Sequence, residues 1–160
     1  MKPVNITAFL RLKANGAGKP KRFSILAYSG GLLPVDGFPH PVVVDLSGLE
    51  IPGSIPILID HEKSVEATLG ATDNIHNDGT KLTMAGVVTG QSPKSQQVLA
   101  QAAAGHTWQA SIGAMVIESE DVPAGQTATA NGQTFTGPVV IARRSVLRET
   151  SVLPMGADST

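Results

Sequence analysis

The sequence predicts a mainly β domain of the α+β class, with a barrel-like core and a few packed helices. Three observations point there. Short apolar runs rich in Val, Ile and Leu recur along the 160 residues. The 17 Gly and 11 Pro punctuate those runs with turn signals. A single segment carries the full signature of a helix. Aromatic residues make up only 4% of the chain, so Val, Ile, Leu and Ala must build the core. Pattern alone does not separate a barrel from a sandwich.

Residues 1–20 read as a basic, weakly ordered N-terminal arm ahead of a folded domain at 21–160. Lys2, Arg11, Lys13, Lys19, Lys21 and Arg22 all precede the first acid, Asp36. Such a run is a solvated arm or, alternatively, a docking arm for an acidic partner. Ala14-Asn15-Gly16-Ala17-Gly18 reads as a turn or linker. Arg22 to Tyr28 is a first strand, ended by Gly30-Gly31. Pro41 to Leu46, with Val42-Val43-Val44 at its centre, is a second.

Ser54 to His61 is a third strand, in which Ile55, Ile57, Ile59 and His61 share one parity and therefore one face. Ala67 to Ile75 and Lys81 to Thr89 form a hairpin closed by Asn77-Asp78-Gly79, since Asp-Gly tolerates the positive φ of tight turns. Ser92-Pro93 opens the helix: Ser caps free N–H groups and Pro suits the first helical position. Val98, Leu99 and Ala102 give that helix an apolar stripe, and Gly105 stops it.

Thr107 to Glu118 is a strand with two unlike faces. Trp108, Ala110, Ile112, Ala114 and Val116 lie on one, and Gln109, Ser111, Gly113 and Met115 on the other. Asp121 to Gly137 is polar, and its Asn131-Gly132 turn predicts a protruding hairpin. Val139 to Ala142 and Ser145 to Leu153 are the last two strands. Glu149, Ser151 and Leu153 share a face there.

The length fits one domain with a real core. A net charge of −1 provides no global field for nucleic acid or a membrane surface. Cysteine is absent, which excludes disulfides and thiolate metal sites. No apolar run reaches membrane-spanning length, and the apolar stretch Ile6 to Leu10 is cut short by Arg11, too early for a signal peptide.

Three residues stand out chemically: His61, Ser111 and Glu149. They lie in the strings Ile-Leu-Ile-Asp-His-Glu (57–62), Trp-Gln-Ala-Ser-Ile-Gly-Ala (108–114) and Leu-Arg-Glu-Thr-Ser-Val (147–152). A serine hydroxyl is a weak nucleophile at neutral pH. It needs a neighbouring base, and the base needs a partner that fixes its tautomer. Each residue also has an ordinary structural explanation. Ser111 fits a strand serine bonded to a carbonyl, His61 a surface or core histidine, and Glu149 a carboxylate paired with Arg148 or Arg144. Asp60-His61-Glu62 alternates faces along a strand, so these three do not converge on a metal.

Taken in order, the three strings resemble the prohead maturation proteases of tailed phages, a serine protease family related in fold to herpesvirus assemblin. Asp60-His61, Ser111-Ile112-Gly113 and Glu149-Thr150-Ser151-Val152, followed by Gly156-Ala157-Asp158, carry the resemblance over roughly residues 20 to 160. It implies a closed or nearly closed β-barrel decorated by helices, with residues 21–160 as the serine protease domain. It implies a Ser111–His61–Glu149 triad with no cofactor or metal, and cleavage of capsid or scaffold protein inside an immature capsid in the cell cytoplasm. Self-cleavage and a homodimer or higher homo-oligomer are implied as well.

Two details depart from that pattern. Assemblin relatives use a second histidine as third member, which leaves His40, His76 and His106 as rivals to Glu149. The arginines expected near the oxyanion follow the third member in assemblin, whereas Arg143-Arg144 precede it here, so the oxyanion donors stay unassigned. The chain ends soon after the third element, as expected of a protease domain trimmed by self-cleavage or truncation. The alternative function is a non-enzymatic capsid-assembly or scaffold module that retains the fold.

Overall fold

A computed structural model describes residues 11–13 and 21–154. In chain order the elements are β1 (Arg11–Lys13), β2 (Arg22–Tyr28), β3 (Val42–Val44), a 3₁₀ turn (Leu46–Gly48), β4 (Leu49–Glu50), β5 (Pro56–Ile59), β6 (Thr68–Asn77) and β7 (Leu82–Val88). Helix α1 (Pro93–Ala103), β8 (Gln109–Val122), β9 (Thr127–Ala130), β10 (Gln133–Thr136) and β11 (Val139–Leu153) complete the chain. The fold is mainly β, as the sequence predicts, and its principal sheet curls into a half-barrel. Among the described residues α1 is the one α-helix.

The sheet has nine strands in the order β1-β2-β7-β6-β5-β11-β3, with β4 and β8 also paired to β11. β11 is its spine. β3, β4 and β5 run parallel to it, one after another along one edge, while β8 runs antiparallel along the other. Short strands stacked end to end on one long partner explain why apolar runs of three or four residues suffice. Val42, Val43 and Val44 are buried and pack into three different apolar clusters, so β3 is covered on both faces and reads as a continuous apolar run.

The main core fills the concave side of the sheet. Phe23 and Ile25 come from β2, Ile57 and Ile59 from β5, Leu69 from β6, Met84 from β7, Ile112 from β8, and Leu147 and Val152 from β11. The alternation of β2 is visible in that set: Phe23 and Ile25 are buried and Ser24 is exposed. The hairpin of β6 and β7 forms as expected, and Asp78 accepts from the backbone N–H groups of Thr80 and Lys81 in its turn. Those bonds hold the Asp78 carboxyl down at about 2.

α1 begins as the Ser92-Pro93 signature requires. Ser92 Oγ accepts from Ser95 N at 3.1 Å and donates to Glu66 O at 2.6 Å. The helix therefore buttresses the turn after β5. Lys94 pairs with Glu62 in that same turn, and Gly105 ends the helix with φ of 96°.

Three expectations need correction. β5 stops at Ile59, so His61 does not continue the row of Ile55, Ile57 and Ile59; those isoleucines are buried and His61 is exposed. The two last strands are one, β11, because the backbone accommodates Arg143 and Arg144 through register irregularities against β8 rather than breaking. Both arginines point to carboxylates: Arg143 to Asp45 and Glu120, Arg144 to Glu118.

The Asn131-Gly132 hairpin forms between β9 and β10 but does not protrude. Phe135 and Ala130 pack with Val43, Val122, Val139 and Ile141. Asn131, with φ of 55°, is buried and donates through Nδ2 to Val44 O (2.8 Å) and Gly30 O (3.1 Å), while Oδ1 accepts from Leu46 N (2.8 Å). Asn131→Ala leaves those buried backbone groups unpaired and places Ala where φ is positive. It is expected to lower unfolding free energy by about 3 kcal/mol, read from the urea midpoint.

Of the stretch 1–20, residues 11–13 form the edge strand β1, antiparallel to β2. The remainder of that stretch, and the Gly156-Ala157-Asp158 tail, lie outside the described residues.

Candidate active site

The parallel pairing of β5 with β11 sets Leu58 beside Ser151 and Ile59 beside Val152. A strand advances about 3.3 Å per residue. Two more extended residues would carry position 61 about 7 Å past Val152, away from Glu149. The chain instead turns back at once. Asp60 and His61 both adopt left-handed backbone, with φ of 54° and 57°. Asp and His tolerate that region better than most residues, but each non-glycine residue held there still costs on the order of 1–3 kcal/mol. Asp60 N donates to Val152 O at 3.1 Å, and His61 N donates to Ser151 Oγ at 3.1 Å. These bonds hold the turn in its strained form.

The turn brings the His61 ring to Glu149. Nδ1 lies 2.6 Å from Oε1. Glu149 is an acceptor when ionised, so Nδ1 carries the proton, and in the neutral ring Nε2 keeps its lone pair. Oε2 of the same carboxylate accepts from Ser151 Oγ at 2.7 Å. Ser151 thus joins the His61 backbone to the Glu149 carboxylate. The Glu149 side chain is 9% exposed and that of His61 42%. One member of the pair is fixed inside the fold and the other reaches solvent. The hydrogen bond that His61 donates to Glu149 raises the His61 pKa above its ordinary 6.5; burial opposes this and the Glu149 and Asp60 charges assist it.

β8 supplies the serine. Its register sets Gly113 opposite Glu149 and Ser111 opposite Ser151. Trp108, Ala110 and Ile112 are buried in the core, so Ser111 and Gly113 lie on the other face, as the alternation predicts. A bulge at Arg148 keeps Leu147 inside and Glu149 on the face of Gly113. Gly113 is required there. A Cβ at that position would lie 2.2 Å from Glu149 Oε1.

Of the three sequence-predicted residues, His61 and Glu149 are brought into direct contact. Ser111 is half-buried on the same face of the sheet, next to Gly113 and across from Ser151. Its carbonyl accepts from Thr150 Oγ1 at 3.1 Å. Among the described residues its hydroxyl is bonded to neither His61 nor any other group. The rival histidines are placed elsewhere. The His106 ring stacks edge-on against Trp108 at 4.9 Å, His76 lines a separate cavity of about 380 Å³ with Asn74 and Thr83, and His40 is exposed in the loop before β3. Arg143 and Arg144 are engaged in their ion pairs.

A groove of about 1270 Å³ opens over the pair, with His61, Glu149, Gly113, Met115 and Arg148 in its walls. Ser151 is the participant that sequence reasoning missed. Its shared parity with Glu149 was a signal, but the bond to a backbone N–H 90 positions away depends on strand register. Ser151→Ala removes the acceptor of His61 N and the donor to Glu149 Oε2. The expected result is a stability loss of about 1–3 kcal/mol in denaturant and markedly faster hydrogen exchange at the His61 amide.

Fold and site together define a mainly β domain that presents a hydrogen-bonded histidine–glutamate pair beside a serine-bearing strand. No protein-family model, no curated protein and no solved structure matches the chain.

Proposed function

We propose that this chain is a serine endopeptidase of the prohead-maturation type, acting on capsid or scaffold segments and on itself. Ser111 is the nucleophile, His61 the general base and Glu149 its partner. The observation that carries the reading is the 2.6 Å contact between His61 Nδ1 and a buried carboxylate, beside a sheet face bearing Ser111. That contact selects the tautomer in which Nε2 accepts a proton.

In the reaction, Nε2 takes the Ser111 proton as Oγ bonds to the scissile carbonyl carbon. The imidazolium, stabilised by Glu149, then protonates the leaving amine as the C–N bond breaks. Water, deprotonated by the same Nε2, releases the acyl group and restores Ser111. Ser111 and His61 are not hydrogen-bonded in the free chain; in this reading their contact forms when a peptide fills the groove.

That same separation favours a second reading, a non-enzymatic assembly module that retains the fold. A diphenyl phosphonate distinguishes the two. Incubated with concentrated protein, it is expected to give a single adduct on Ser111 by intact mass and peptide mapping. The adduct is expected to disappear in His61→Ala. A folded protein that takes no label, with or without added capsid peptide, would overturn the protease reading.

A further inference from the structure

We propose that the Asn131-Gly132 turn is a modification site that the fold holds closed: Asn131 loses its amide as ammonia while the chain is unfolded, and the aspartyl product no longer rebuilds the native fold. The inference is independent of the protease reading.

The first observation is the chemistry of the pair. When an asparagine side chain bends back over its own C-terminal peptide, the next backbone nitrogen can attack Cγ. The N–Cγ bond forms, the attacking nitrogen gives up its proton, and Nδ2 leaves with a proton as ammonia. Water then opens the five-membered imide at either carbonyl. One opening gives aspartate; the other gives isoaspartate, with the backbone running through Cγ. A glycine in the following position leaves the attacking nitrogen unhindered. Asn131 is followed by Gly132.

The second observation is that the native turn keeps these atoms apart. Ala130 pairs with Gln133, so Asn131 and Gly132 are the two central residues of the hairpin. Their φ values of 55° and 72° are the left-handed pair of a type I′ turn. The amide does not bend over Gly132. Nδ2 places its two hydrogens on Val44 O at 2.8 Å and Gly30 O at 3.1 Å, and Oδ1 accepts from Leu46 N at 2.8 Å. All three bonds must break before Cγ can meet the Gly132 nitrogen. Gly132 is itself exposed, whereas Asn131 is buried, so the clamp on the amide is what shields the pair.

The third observation is what the products would meet. Aspartate sets a carboxylate oxygen where Nδ2 stood, facing two carbonyl oxygens with no donor between them. Isoaspartate adds a backbone carbon to a two-residue turn. That disturbs the β9–β10 register that carries Ala130 and Phe135 into their apolar cluster. Chains that fold promptly keep Asn131, and chains that linger unfolded leave the folding equilibrium irreversibly.

The test follows both halves of the proposal. Ser111→Ala protein, used to keep self-cleavage out of the comparison, is warmed at mildly alkaline pH in buffer and in urea. Peptide mapping separates the asparagine, aspartate and isoaspartate forms at position 131. Conversion in urea is expected to outpace conversion in buffer at least about tenfold. Urea is then removed at intervals, and size exclusion divides refolded from unrefolded chains. The refolded fraction is expected to keep asparagine, and the unrefolded fraction to be enriched in the two acids. Equal conversion in buffer and urea overturns the proposal, because the clamp then protects nothing. So does refolded protein that carries the acids as often as unrefolded protein does. Asn131→Asp, introduced directly, is expected to lower the urea midpoint or to leave the chain unfolded; a midpoint equal to that of the parent protein overturns the proposal as well.

Discussion

Ser111→Ala is expected to abolish peptide-bond cleavage, with a fall in kcat on the order of 10⁴-fold or more, and His61→Ala to do the same. The two losses should not add. A nucleophile without its base and a base without its nucleophile both leave only the contribution of binding and positioning, so Ser111→Ala/His61→Ala is expected to match either single variant. The measurement is turnover of a capsid or scaffold fragment, followed by mass spectrometry, with circular dichroism as the check on folding. Ser111 is half-buried on the outer face of the sheet and its hydroxyl bonds nothing in the described fold, so alanine there should leave stability nearly unchanged. Full activity in Ser111→Ala would remove Ser111 from the mechanism. The same result with His61→Ala also active would remove the site altogether.

The double-variant comparison matters because Ser111 and His61 are not in contact in the free chain. The rigid part of the site is the half that does not need substrate. His61, Glu149 and Ser151 are tied together by contacts of 2.6, 2.7 and 3.1 Å. The turn carrying His61 is itself held by α1 through Ser92 and Lys94. The proposed mechanism asks that the half-exposed imidazole and the Ser111 hydroxyl come together on substrate binding while the bonds to Glu149 and Ser151 hold.

How much of this was legible in the sequence depends on range. Alternation placed Ser111 opposite the buried face of β8, and placed Glu149 and Ser151 on one face of β11, because both facts are local. The capping signature of α1 and the Asp-Gly turn between β6 and β7 were local too. The contact between His61 and Glu149 spans 88 positions. It depends on the parallel register of β5 with β11, for which the sequence carries no short-range mark. The left-handed turn at Asp60-His61 was hidden for a related reason. Neither residue is glycine, and the hydrogen bonds that hold the turn come from Val152 and Ser151 on another strand. The hairpin at Asn131 misled through composition. Its polar residues read as exposed, yet the tip amide is buried because it satisfies backbone groups of two other segments.

Gly113→Ala is expected to disable the site while sparing the fold. The new Cβ would sit 2.2 Å from Glu149 Oε1 and 2.9 Å from its Cδ, so the carboxylate must swing away from His61. It is the far end of a side chain and the groove is open beside it, so the cost to stability should stay within about 2 kcal/mol. Activity is expected to fall on the order of 10³- to 10⁴-fold, as when the partner of a catalytic histidine is lost.

The pH profile separates this cause from a general disturbance. Glu149 holds the His61 pKa above 6.5, and only the neutral ring is a base. Wild-type activity should therefore rise with pH through that elevated value. In Gly113→Ala, and in Glu149→Gln, the acidic limb should move to lower pH as the plateau drops. Stability runs the opposite way. A raised histidine pKa contributes stability that is fully present below the unfolded value and is lost as pH rises through the folded one. Wild type should therefore lose a small increment of stability over that window, discounted because the imidazole is 42% exposed, and both variants should lack the increment. An acidic limb that stays in place in Gly113→Ala would mean that Glu149 does not set the protonation of His61.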